Sequence, residues 1–214
     1  MNFIQTLAIS ALPVIFAITL HEAAHGYAAR HFGDPTAWKL GRISINPLRH
    51  VDLVGTLIVP GIILLLSSGG LLFGWAKPVP VNFGQLRRPK QDMLWVAAAG
   101  PAANLLMALT WALLLKLTID LPVHDFSEAM KEMARVGISI NGVLMLLNLL
   151  PIPPLDGGRI MVSLLPSRIA WKFAQLERFG LPIILALLFF GLLDAVLRPL
   201  LRIFFSLMMS LFGF

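Results

Sequence analysis

MNFIQTLAISALPVIFAITLHEAAH, residues 1–25, is the stretch whose reading decides the fold. Nothing from Met1 to Leu20 is charged, and His21-Glu22-Ala23-Ala24-His25 follows at once. A charge-free run of that length reads as a helix that spans a bilayer. The two histidines are spaced i, i+4, so on that helix they lie one turn apart on the same face. Two neutral imidazoles so placed can bind Zn²⁺, and Glu22 is then positioned as general base on a water at the metal. In a soluble helix such a match often arises by chance. In a membrane helix two histidines and a glutamate are costly to hold and mark a functional site.

Working outward, the 214 residues are 57% hydrophobic and 13% charged, with mean hydropathy +0.82. These values describe a polytopic membrane protein. There is no cysteine, which excludes disulfides and Cys-ligated zinc. The net charge of +6 is spread over several loops, so it speaks to topology and the lipid bilayer and not to nucleic acid. The first segment has no basic leader region and no small-residue cleavage site, so it reads as a retained span.

The first helix is expected to end near Gly33-Asp34-Pro35. Leu40 to Asn46 alternates apolar and polar residues, which is strand period. A small membrane-associated β-hairpin is expected there, and its open edge would pair with an extended substrate through Leu40, Arg42, Ile43 and Ile45. An ordinary short loop is the other reading. Leu53 to Ser68 is 16 uncharged residues broken by Pro60-Gly61, short for a span and expected to be re-entrant. Met93 to Leu115 and Val136 to Leu155, with 23 and 20 uncharged residues, are expected to span. Between them Leu117 to Ala134 reads as an acidic external loop, with the site reached from the cytoplasmic side.

The second of those spans runs into Asn148-Leu149-Leu150-Pro151-Ile152-Pro153-Pro154-Leu155-Asp156-Gly157-Gly158-Arg159, which cannot be regular helix. Ile169, Phe173 and Leu176 mark an amphipathic interfacial helix. Leu181 to Leu197 is a further span, followed after Pro199 by a last apolar helix. The expected fold is all-α and polytopic, with about four to six transmembrane or re-entrant helices. It forms a single domain over residues 1–214, with a core at 1–165 and C-terminal helices at 166–214.

A catalytic zinc takes three protein ligands and leaves one position open. His21 and His25 are two. Asp156 is the best third, an acidic residue set in a glycine-flanked break after an apolar span. Glu128, Glu132 and Glu177 are alternatives in loop or amphipathic settings. His31, His50 and His124 sit in charged loops and read as surface residues.

H-E-A-A-H in a membrane helix, followed by N-x-x-P-x-x-x-L-D-G at Asn148 to Gly157, resembles the site-2 protease family of intramembrane zinc metalloproteases. Gly33-Asp34-Pro35, Gly74-Trp75-Ala76-Lys77-Pro78-Val79-Pro80 and Gly100-Pro101-Ala102-Ala103-Asn104 fit the same resemblance. It implies one zinc per chain held by His21, His25 and Asp156, with Glu22 as base. It also implies that Asn148 stabilises the oxyanion or orients substrate. The implied activity is hydrolysis of peptide bonds in or near transmembrane segments, with single-span or signal-peptide-like substrates, in a prokaryotic cell membrane. The sequence leaves no gap long enough for an inserted PDZ domain, and its motif lies on the first helix. The expectation is therefore a compact branch in which substrate selection differs and the catalytic residues do not. A membrane metal-ion transporter or an inactive membrane scaffold are the competing classes. Glu22 beside the first histidine favours proteolysis over transport, and a complete ligand set argues against a scaffold.

Overall fold

The structure is a computed structural model that describes residues 3–59, 61–62, 76–119 and 125–213. Among the described residues the architecture is all-helical. Helix α1 covers Phe3–His31, and α2 is a single turn at Thr36–Lys39. Helix α3 covers Pro89–Ile119, α4 Asp125–Asn148, α5 Asp156–Leu164 and α6 Ser167–Ala174. Helices α7, Gly180–Phe189, and α8, Leu192–Phe212, close the chain.

Three helices are long and apolar enough to cross a membrane: Ala8–His31 within α1, all of α3, and α8. Twenty-four helical residues extend about 36 Å, more than the roughly 30 Å of a hydrocarbon core. α3 packs most extensively on α4, and both pack on α1. Lipid tails are as apolar as leucine, so small residues that admit close contact must hold such helices together. Ala108, Ala112 and Ala134 are fully buried between α3 and α4, with Ile138 and with Phe204 and Met208 of α8. Gly137 lies against the Trp111 ring, where a Cβ would come within 2.3 Å of it.

The expected hairpin at Leu40 to Asn46 does not form. Residues 36–39 are helical, Gly41 turns with φ +62°, and 42–46 contain no strand. A strand needs a ladder, and here side chains take the carbonyls instead. Arg49 donates to Gly41 O, and His50 Nε2 lies 2.8 Å from Ser44 O. Asn46 N donates to Ser44 Oγ at 3.1 Å.

Two helix limits also differ from expectation. The stretch from Asp125 belongs to α4, not to a loop, with Glu128–Lys131 and Glu132–Arg135 pairs at 3.0 and 3.1 Å satisfying its charges along the helix. Those charges keep α4 out of the set of candidate spans. Near the C-terminus the chain breaks at Gly191, φ +70°, while Pro199 sits inside α8, where Asp194 pairs with Arg198 one turn away. Of the Leu53 to Ser68 segment, 53–58 form a π-helical turn capped by Asp52 Oδ1, which accepts from Gly55 N at 2.6 Å. Residues 63–75, with Gly74-Trp75 of the connector motif, lie outside the described residues.

Candidate metal centre

The centre is assembled from α1, α3 and the start of α5. Helical spacing stacks the His21 and His25 rings edge to face, with centroids 4.7 Å apart. Their Nε2 atoms are 3.1 Å from each other. Asp156 Oδ2 lies 3.3 Å from both. Zn–N and Zn–O bonds of about 2.0–2.2 Å place tetrahedral ligand atoms about 3.3 Å apart, so the three atoms already stand as three corners of such a site. Asp156 Oδ2 is buried and has no hydrogen-bond partner.

α3 makes room for this group at Gly100. A Cβ there would come within 2.4 Å of His25 Nε2 and 2.6 Å of His21 Nε2. The Nδ1 atoms face the other way. His25 Nδ1 is 2.7 Å from Val96 O, and His21 Nδ1 is 2.5 Å from Asn104 Oδ1. Both acceptors lie on α3, and both leave Nε2 as the lone-pair atom, the usual support of a metal-bound histidine. With neither Nε2 protonated, two imidazole lone pairs and a carboxylate oxygen converge, an arrangement that a cation stabilises. The donor set therefore fits zinc.

Asp156 is delivered by the break after α4. Residues 149–155 form turns closed by Ile152 N to Leu150 O and Leu155 N to Ile152 O, at 2.7 and 2.8 Å, and include a cis peptide at Pro153-Pro154. The loop folds tightly over the start of α5. A Cβ on Gly157 would meet Leu150 O at 2.2 Å, and one on Gly158 would meet Pro153 N at 2.5 Å. Only glycine permits that approach.

Glu22 is half-buried, and its Oε2 accepts from Val79 N at 2.7 Å. Pro78 and Pro80 flank that residue and have no N–H, so the segment offers the carboxylate a single donor. The same segment is fixed by Lys77 N to His50 O at 2.9 Å and by Asn82 N to Asp34 Oδ2 at 2.6 Å. Asp34, fully buried, also accepts from Thr36. These residues explain the Gly33-Asp34-Pro35 string, whose carboxylate ties the end of α1 to the connector.

The structure separates the remaining expected site residues. Ile43 packs with Val79 over Gly26, and Arg42 Nη2 donates to Lys77 O and Pro78 O at 3.0 and 3.3 Å. Leu40 and Ile45 are exposed. Asn148 closes α4, and its Nδ2 donates to Leu144 O at 3.0 Å within the same helix. The alternative glutamates are engaged elsewhere: Glu128 and Glu132 by their helix neighbours and Glu177 by Arg159 at 3.2 Å. His50 binds Ser44 O, and His124 lies outside the described residues. Gly100 and Val79 lie within the motif strings read from the sequence, which assign neither a role at the site. The Gly100-Pro101 pair and the Pro-Val-Pro spacing were their only local signals.

The model of peptidase family M50 matches residues 125–191. The candidate zinc metalloprotease YwhC of Bacillus subtilis is 39% identical over 194 residues, covering 89% of this chain and 84% of YwhC. The candidate zinc metalloprotease Rip2 of Mycolicibacterium smegmatis is 31% identical over 178 residues, covering 81% of this chain and 64% of Rip2. Rip2 of Mycobacterium tuberculosis is 30% identical over 178 residues, covering 81% of this chain and 63% of Rip2. No solved structure gives a significant match. Helices long and apolar enough to cross a membrane, a His-His-Asp group that could hold a metal, and these relatives together give the class, a membrane-embedded zinc metalloprotease. The chain belongs to peptidase family M50, the site-2 protease family.

Proposed function

We propose that this protein hydrolyses peptide bonds within or at the edge of transmembrane segments of single-span or signal-peptide-like substrates, in a prokaryotic cell membrane. His21, His25 and Asp156 hold one zinc. Bound zinc supplies Lewis acidity toward a scissile carbonyl and makes water a nucleophile near neutral pH. Glu22 takes the proton of the attacking water and returns it to the leaving amine. The Val79 N–H keeps one carboxylate oxygen in place and leaves the other for that transfer.

A helical substrate carbonyl is hydrogen-bonded and covered, so the substrate must unwind before it is cut. Arg42 and Ile43 are proposed to act with the Lys77–Val79 segment they contact, and with Leu40 and Ile45, in holding the extended chain. Asn148 is the proposed oxyanion donor, which requires its amide to leave Leu144 O; one such donor is typically worth about 3 kcal/mol.

The observation that carries this reading is the convergence of three metal-donor atoms within 3.1–3.3 Å, two of them on a helix long enough to span, in a notch only glycine leaves open. The test is a comparison of membrane proteomes from cells with the wild type and with Glu22→Gln. Single-span proteins should accumulate uncut with the variant. Identical membrane proteomes, with both proteins present at equal amounts, would contradict the reading.

A further inference from the structure

Two asparagines lie behind the metal centre, and both are fully buried. Asn104 of α3 and Asn141 of α4 connect His21 to the middle of the bundle. Asn104 Oδ1 faces His21 Nδ1 at 2.5 Å, and Asn104 Nδ2 is 3.2 Å from Ala17 O and 2.9 Å from Asn141 Oδ1. Asn141 Nδ2 is 2.9 Å from Gly137 O.

Chemistry fixes the direction of this chain of bonds. A backbone carbonyl only accepts. Gly137 O therefore requires the amino group of Asn141 on its side, which turns the Asn141 oxygen to Asn104. Ala17 O independently requires the Asn104 amino group, and that group has two hydrogens for two acceptors. The Asn104 oxygen is left facing His21, and only a proton on Nδ1 satisfies it. A reversed amide at either asparagine would set oxygen against oxygen in a buried site.

We propose that Asn141, acting through Asn104, holds His21 in its Nδ1–H tautomer, so that Nε2 presents its lone pair to the metal before any metal arrives. Asn104 and Asn141 are positioning residues, and neither needs to touch the ion. The relay joins three helices: α1 carries the ligand, α3 the first amide and α4 the second. His25 gets the same polarity from a single carbonyl, Val96 O. His21 has no carbonyl at Nδ1, so an amide is interposed, and an amide can flip unless something further fixes it. Asn141, through the shorter of the two bonds from the Asn104 amino group, supplies that fixation together with Ala17 O. Outer partners of this kind typically govern metal affinity by 10–100-fold.

The inference rests on the metal-site reading, and the experiment separates the two. Full-length protein labelled with ¹⁵N-histidine is examined metal-free in detergent, with signals assigned by single substitution. His21 should show a protonated Nδ1 and an unprotonated Nε2. Zinc affinity is then measured by chelator competition. Asn104→Leu should weaken it about 100-fold and Asn141→Leu about 10-fold. Asn104→Asp keeps an acceptor toward His21 but sets oxygen against Ala17 O and Asn141 Oδ1, so it should keep the wild-type tautomer and recover only part of the lost affinity. An Nε2-protonated His21 in the metal-free wild type would overturn the relay, and that spectrum depends on no variant's folding. Equal losses in Asn104→Leu and Asn104→Asp would also overturn it, as would unchanged affinity in Asn141→Leu. A wild type that binds no zinc would overturn the metal-site reading, whatever the His21 tautomer.

Discussion

The centre is supplied by two regions built in opposite ways. α1 presents His21 and His25 by regularity: a helix repeats every 3.6 residues, so a spacing of four is enough to bring the rings together. The segment 149–158 presents Asp156 by irregularity, through turns, prolines and two glycines. The first arrangement brings the two rings together by local spacing, and α3 adds the partners of their Nδ1 atoms. The second exists only if the loop closes over the start of α5 and α5 packs on α3. Two members of the donor set can thus be brought together by helix spacing, while the third reaches them only through the tertiary fold.

The difference predicts unequal tolerance, and the sharpest case separates chemistry from construction. Glu22→Gln leaves both regions intact and removes the proposed base. Turnover of a reconstituted single-span substrate should fall about 10²–10⁴-fold, with zinc content unchanged.

Gly157→Ala attacks the irregular region. The added methyl meets two backbone carbonyls, Leu150 O at 2.2 Å and Leu149 O at 2.3 Å, and neither can rotate away as a side chain can. A cost of about 1–3 kcal/mol is expected for such overpacking, seen as a lower thermal midpoint. Zinc affinity should fall with it, because Asp156 is the adjacent residue. A variant with unchanged midpoint and zinc affinity would break the comparison.

Val79→Pro tests the contact from the connector to α1. It removes the only N–H of Pro78-Val79-Pro80, a bond to a charged acceptor worth about 1.5–3 kcal/mol. Turnover should drop roughly 10-fold or more while zinc stays bound, and Val79→Ala, which keeps the N–H, should be near wild type. Equal activity in the two variants would remove Val79 from the account of Glu22.

Gly26→Ala is the mild counterpart of Gly157→Ala on the regular helix. Its nearest neighbours are the Ile43 and Val79 side chains at 2.9 and 3.1 Å, both able to shift. A change in thermal stability below about 1 kcal/mol is expected, with zinc binding unaffected. A loss as large as that of Gly157→Ala would mean that the regular region is no more tolerant than the irregular one.

The contrast also explains what the sequence disclosed. The histidine pair and the spans of α1 and α3 were legible because helix period and bilayer length leave direct marks on residue order. Asp156 was legible because a carboxylate among prolines and glycines after an apolar run has few structural uses. The alternation at Leu40 to Asn46 misled, since period alone cannot say whether a partner strand exists, and Arg49 and His50 claimed the carbonyls. α4 was misjudged at its start, where the helix begins among charges that pair within it, while its stop at Asn148, before the prolines, agrees with the break read from the sequence. The break at Gly191 was missed in favour of Pro199. Proline inside a membrane helix is tolerated where neighbours satisfy the freed carbonyl, whereas Gly191 takes a left-handed backbone that ends the helix. Val79 and Asn141 act across 57 and 37 residues of sequence, on Glu22 and Asn104 respectively. Their roles come from where the fold places them, and no local pattern carries that information.

The central claim is that His21, His25 and Asp156 together hold one zinc, and metal content is its most direct test. Wild type and Glu22→Gln, purified in detergent and measured by elemental analysis against protein concentration, should each carry about one zinc per chain. His21→Ala, His25→Ala and Asp156→Ala should each lose most of it. A metal-free wild type, or Asp156→Ala with full zinc, would contradict the account.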